Sequence, residues 1–236
     1  MGADHIFIYS MEPGPTMTKV MQFYQTRGVL TVLQLPVFPA NQSWYFGQTT
    51  AINDCHYRVR YNTKFILMHD MDEFVTPLKH VSYIDMIKSV EKIETAKGAK
   101  NIGGFMFQNG FYCKPMMNKT EFAVFRQALH LSDDDLKFVI DYEVTLIVEQ
   151  HMLEFHDFPK RVKTIYLPDK IQYPGIHFPM KLYPNVTKVA VDSAIGFLAH
   201  HRRWDKKRCY FDLRILPYFK KYVDSLRQSY SQLQQL

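Results

Sequence analysis

Four consecutive residues, Asp70-Met71-Asp72-Glu73, follow the apolar run Lys64-Phe65-Ile66-Leu67-Met68-His69. An apolar strand that delivers acids at its carboxyl end places them where open α/β sheets bind ligands, in the crevice beyond the strand ends. In an extended chain Asp70 and Asp72 point the same way. Carboxylates so spaced suit a hard divalent cation such as Mn²⁺ or Mg²⁺, which takes one or two of them and fills its shell with substrate phosphate and water. An ordinary solvated turn carries the same residues, so the acids alone leave both readings open.

The elements that must position these acids follow from periodicity. Ile6-Phe7-Ile8-Tyr9 reads as a strand closed by Pro13-Gly14-Pro15, and Met17, Val20, Met21 and Tyr24 recur at helical spacing before Gly28. Leu30 to Val37 reads as a strand, Phe46 to Tyr61 as a helix, and Lys64 to His69 as the strand leading into the acids. This alternation predicts an α/β domain with a mostly parallel sheet. Met86 to Ala96 reads as a surface helix and Ile102 to Tyr112 as one strand. From Lys114 to Lys160 the reading is a loop with the acidic run Asp133-Asp134-Asp135 and an ambiguous apolar piece, Val144 to Leu153. Val162 to Leu167, Gly175 to Phe178 and Ala194 to His200 read as short strands, and Asp205 to Leu226 as mostly helical.

The chain has 236 residues, 47% hydrophobic and 15% aromatic, which fits one packed domain over residues 1–236 and excludes disorder. Its formal charge of +6 is densest from His200 to Arg208. Neither a recognition helix nor basic residues interleaved with aromatics is legible, so the pattern points away from nucleic acid. A diphosphate-bearing small molecule or a solvated basic face accounts for the charge. No apolar run reaches membrane-span length. The sequons at Asn41, Asn118 and Asn185 lean toward the secretory lumen. Cys55, Cys113 and Cys209 fit one disulfide plus a free thiol, or three buried thiols.

The segment Trp44-Tyr45-Phe46-Gly47-Gln48, with Ala51, Asn53-Asp54-Cys55, Arg58, Lys64, Asp70-Met71-Asp72-Glu73-Phe74 and Pro77, resembles glycosyltransferase family 92. Gly2-Ala3-Asp4-His5, Lys163 to Asp169, Gly175-Ile176-His177 and Leu198 to Arg202 are similar to further blocks of that family. The resemblance implies a Rossmann-like GT-A fold, a mostly parallel mixed sheet flanked by helices. It also implies a divalent cation and inverting transfer, commonly of galactose from a UDP-sugar donor to a glycan acceptor in the Golgi lumen. The resemblance also implies an additional strand and helix and, usually, an N-terminal membrane anchor ahead of Gly2, expected to be missing here. The alternative function is therefore an impaired glycan- or nucleotide-binding relic or fragment; a metal-dependent phosphoesterase is a third reading.

Carried over by residue, Asp70 and Asp72 match the metal-binding acids, Asp72 as ligand and Asp70 reaching metal or ribose, with Glu73 positioning them. His200 suits the late-strand histidine that completes the metal shell, with His177 as competitor. Asn53, Asp54 and Arg58 fall on the preceding helix, to contact nucleotide or to cap and pack. Lys163 and Arg202 are candidates to neutralise the leaving diphosphate, or surface cations. The general base is unassigned among Asp133 to Asp135, Glu149, Glu154 and Asp157.

Overall fold

The computed structural model describes residues 2–37, 44–113, 118–142, 151–201 and 209–235. It is a mixed α/β domain. β1 (Ile6–Ser10), α1 (Pro15–Gln25) and β2 (Leu30–Gln34) form a parallel unit, with Pro15 at the start of α1 and Gly28 at φ 72° ending its exit turn. The positive φ explains that glycine, because an L side chain is strained there. α2 (Gln48–Val59) follows a short turn, Trp44–Gly47, in which Tyr45 and Phe46 take left-handed φ values of 46° and 51°.

Two larger sheets carry the rest. A four-stranded sheet holds β3 (Ile66–Leu67), β5 (Ile102–Phe107), β8 (Lys163–Tyr166) and β11 (Thr187–Ala190), in the order β11-β5-β8-β3. A five-stranded sheet holds β4 (Glu73–Pro77), β6 (Asn109–Cys113), β7 (His151–Phe155), β12 (Gly196–His201) and β13 (Tyr210–Phe211), in the order β13-β7-β6-β12-β4. β9 (Ile171–Tyr173) and β10 (Lys181–Leu182) make a small antiparallel pair.

Each face of the five-stranded sheet lies on its own core. α3 (Tyr83–Ala96) buries Met86, Ile87 and Val90 against Val75, Phe105, Phe107 and Leu198. On the other side α4 (Lys119–Leu129), α5 (Asp133–Asp141) and α6 (Leu216–Leu233) bury Phe125, Leu129, Val139 and Val223 against Tyr112, Phe197 and Ala199. Strand alternation divides β12 between them: Leu198 faces one core, Phe197 and Ala199 the other. At Gly196 the elements come too close for any side chain, since a Cβ would lie 2.6 Å from Met86 Sδ.

Several expectations are corrected. The sheet is not mostly parallel: antiparallel pairings outnumber parallel ones among the described residues. The strand before the acids is only Ile66–Leu67, so Asp70 and Asp72 lie in a turn and Glu73 begins β4. Residues 102–113 split at Gln108, whose amide donates to the His156 carbonyl at 2.8 Å, and the two halves enter different sheets. Gly175 to Phe178 is not a strand but lies between β9 and β10. The expected loop after residue 118 holds two helices, each started by a capping box, Asn118 with Glu121 and Ser132 with Asp135. Residues 144–150 and 202–208 lie outside the described residues.

Candidate functional site

The site is built across the antiparallel pairing of β4 with β12, where Glu73 lies opposite His200. His200 shares strand parity with Leu198, so it faces the acids, while His201 turns to the other side and stacks on Tyr112 at 4.6 Å. The Glu73 backbone N–H donates to the Asp70 carbonyl at 3.1 Å, and the His201 N–H to the Asp72 carbonyl at 2.8 Å. The acidic turn is thus fixed by main-chain bonds at both of its ends.

Below that turn lies a closed layer. Glu73 and Lys163 are each 2% exposed. The Lys163 ammonium donates to Glu73 Oε2 at 2.9 Å and to Asp70 Oδ2 at 3.1 Å. Glu73 Oε2 also accepts from the Asp70 backbone N–H at 2.9 Å. A charge buried this deeply is costly unless it is paired and hydrogen-bonded. Burial pushes the Asp70 carboxyl up, but the charge and hydrogen bond of Lys163, with the help of His200 and Glu73, hold it below the ordinary aspartate range. Gln48, first residue of α2, donates to Asp70 Oδ1 at 3.2 Å.

Above lies an open layer. The Asp72 side chain is 44% exposed, with Oδ2 3.3 Å from His200 Nε2. His200 is held from behind: Asn109 Nδ2 is 3.3 Å from Nδ1, Glu73 Oε1 is 3.5 Å from Nδ1, and Phe111 lies against the ring at 4.6 Å. Two ligands of one divalent ion, each about 2.1 Å from it, lie about 3 Å apart at a right angle, so Asp72 and His200 fit neighbouring positions on a cation. No three His, Cys, Asp or Glu side chains are grouped to hold a metal ion among the described residues. Asp72 and His200 would therefore supply only part of a cation's shell.

Residues 1–235 match the family model for glycosyltransferase family 92. The chain belongs to glycosyltransferase family 92. It is also 25% identical over 232 residues to the beta-1,4-galactosyltransferase galt-1 of Caenorhabditis elegans, covering 97% of this chain and 47% of that protein. It thus spans about half the length of that curated relative.

Within this family 92 domain the other expected residues take different places. His177 lies on the Lys163 side of the acids, in the wall of a small, shallow cleft with Met68, Thr164 and Tyr166. Burial, then the charge of Lys163, pushes its imidazole below the ordinary range against the opposing pull of Glu73 and Asp70. Asp54 and Arg58 form a bidentate pair on α2, and the Tyr9 hydroxyl at the end of β1 donates to Asp54 at 2.5 Å. Asn53 folds back onto its own helix, donating to the Thr49 carbonyl at 2.8 Å. Lys163 is the internal counter-ion of the acids rather than a surface cation.

Arg202 and Glu149 lie outside the described residues, as does the side chain of Glu154. Asp133 pairs with Arg126, and Asp135 caps α5 and pairs with Arg227 at 2.8 Å. Asp157 is a solvated partner of Lys160 at 3.6 Å. Gln48, Asn109 and Tyr9 enter the site without having been singled out from sequence. The spacing of Gln48 before the acids, as part of the family-like Gly-Gln segment, is the one signal that could have found any of them. Cys55 is a free thiol and Cys209 is disulfide-bonded, which agrees with the arrangement of one pair plus one thiol. The sequon residues Asn118 and Asn185 are exposed, and no helix among the described residues is long and apolar enough to cross a membrane.

Proposed function

We propose that this domain transfers a hexose from a nucleoside-diphosphate donor to a glycan hydroxyl, with inversion, in the lumen of the Golgi. UDP-galactose is the first donor to test, because the relative's name is that of a galactosyltransferase. The observation that carries the reading is the two-layer site: the solvent-facing carboxylates of Asp70 and Asp72, 47% and 44% exposed, resting on a closed layer of Glu73, Lys163 and His200. A buried ionic layer makes the upper pair rigid, and rigid, partly solvated ligands are what a cation-bound diphosphate requires.

In this reading Asp72 and His200 hold Mn²⁺ or Mg²⁺. The cation, when bound, supplies positive charge to the diphosphate as the glycosidic bond breaks. Asp70, anchored by Gln48 and Lys163, presents its remaining hydrogen-bonding capacity to the donor's ribose or to the cation. The Tyr9–Asp54–Arg58 group lies at the carboxyl end of β1, where α/β sheets take nucleotides, and offers Arg58 to the base or ribose. Release of UDP from UDP-galactose, measured with Mn²⁺ and a galactose-accepting glycan, tests the reading. Release that needs both Mn²⁺ and acceptor supports it. Equal release without acceptor, or with Asp72→Ala, contradicts it.

A further inference from the structure

Asn109 opens β6 and is 1% exposed, two pairings before the one that sets Phe111 opposite His200 in the parallel β6–β12 ladder. Its Nδ2 makes two contacts, 3.1 Å to the Arg161 carbonyl and 3.3 Å to His200 Nδ1. A carbonyl can only accept, so the contact with Arg161 fixes which end of the amide is nitrogen. The Arg161 carbonyl is itself held in a left-handed turn, φ 55°. The amide has two hydrogens, one for each contact. Its Oδ1 meanwhile is buried with no partner among the described residues. An orphaned buried acceptor is costly, and turning the amide to satisfy it would set Oδ1 against the Arg161 carbonyl.

A hydrogen bond donated to Nδ1 requires a lone pair there. In the neutral ring the proton then sits on Nε2, which faces Asp72 Oδ2 at 3.3 Å. Glu73 Oε1, 3.5 Å from the same Nδ1, makes the opposite demand. It can only accept, so it favours Nδ1–H and leaves on Nε2 the lone pair that a cation needs.

We infer that Asn109 is the positioning residue that sets the tautomer of His200, holding Nε2–H on Asp72 in the cation-free chain. His200 exchanges Asn109 for Glu73 as its Nδ1 partner when Nε2 takes a cation. Asn109 thereby opposes cation binding in the empty site and ties His200 to Asp72 until the ligand arrives. The second half of this inference rests on the function proposed above; the first half does not.

Long-range ¹H–¹⁵N spectra of the histidine rings in the cation-free chain test the first half directly. The expected result is an unprotonated Nδ1 and a protonated Nε2 at His200; Nδ1–H in the wild-type chain overturns the inference. Asn109→Leu removes the donor and is expected to move the ring to Nδ1–H, and to tighten Mn²⁺ binding by calorimetry roughly tenfold, the lower end of outer-shell effects. An unchanged tautomer in a folded Asn109→Leu chain also overturns it. Should that variant not fold, the wild-type spectrum decides. Absence of Mn²⁺ binding in either chain would count against the cation exchange alone, leaving the tautomer result to stand or fall by its own spectrum.

Discussion

Two ionic clusters sit on opposite faces of the five-stranded sheet, and only one has anything left to offer. On the helical-core side Asp212, 9% exposed, accepts from the Tyr112 hydroxyl at 3.0 Å, from the Arg214 backbone N–H at 3.0 Å and from the Arg214 guanidinium at 2.7 Å. That guanidinium lies over the Phe155 and Phe197 rings. Every oxygen of Asp212 is used. On the other face Glu73 and Lys163 are enclosed more fully than Asp212 and Arg214, but the layer ends in Asp72, which has His200 at 3.3 Å and solvent beyond. Burial of charge therefore does not mark a functional site by itself. The mark is a saturated layer that supports an unsaturated one.

Breaking the closed cluster is expected to cost most. Asp212→Ala leaves the buried Tyr112 hydroxyl and the Arg214 guanidinium without their acceptor, and because Arg214 is 37% exposed and stays partly solvated, urea denaturation should show a loss of about 3 kcal/mol. Asp72→Ala should be the reverse, with turnover down more than about 100-fold and stability changed by less than about 0.5 kcal/mol. Glu73→Gln sharpens the contrast because Glu73 belongs to both layers. It keeps shape but loses the charge facing Lys163, so a loss of roughly 1–3 kcal/mol together with weaker Mn²⁺ binding is expected.

The smallest effect is on pH dependence. Burial pushes Asp212 up, but hydrogen bonds and charge from Arg214 outweigh it and hold the carboxyl below the ordinary 3.8. A depressed native value means that its stabilisation is complete above the ordinary aspartate range and is lost as pH falls through the native value. Thermal melts below about pH 4 should accordingly show a shallower acid decline in Asp212→Asn than in the wild-type chain.

Legibility followed the range of the interactions. Asp70 to Glu73 stood out because acids at the end of an apolar strand are locally unusual, and His200 only through the family resemblance. The β1-α1-β2 unit stood out because each element carries its own period and stop signal. The pairing of β4 with β12 is not local, and nothing in either strand says that Glu73 will meet His200. For the same reason the antiparallel character of the sheets was missed, since alternation of strands and helices predicts parallel order only while crossovers follow one another. Asn109 is an unremarkable amide until a distant carbonyl orients it, and Gln48 had only its place in the family-like Gly-Gln segment to mark it. The helices α4 and α5 were legible in principle: Asn118-x-x-Glu121 and Ser132-x-x-Asp135 are capping boxes, read instead as loop and acidic run.

Calorimetric titration of the full chain with Mn²⁺, in the presence of UDP and repeated on Asp72→Ala and Asp212→Asn, tests the two-layer account most directly. The expected result is one site per chain in the wild type, kept in a folded Asp212→Asn and lost in Asp72→Ala. Equal Mn²⁺ affinity in the wild type and Asp72→Ala would contradict it.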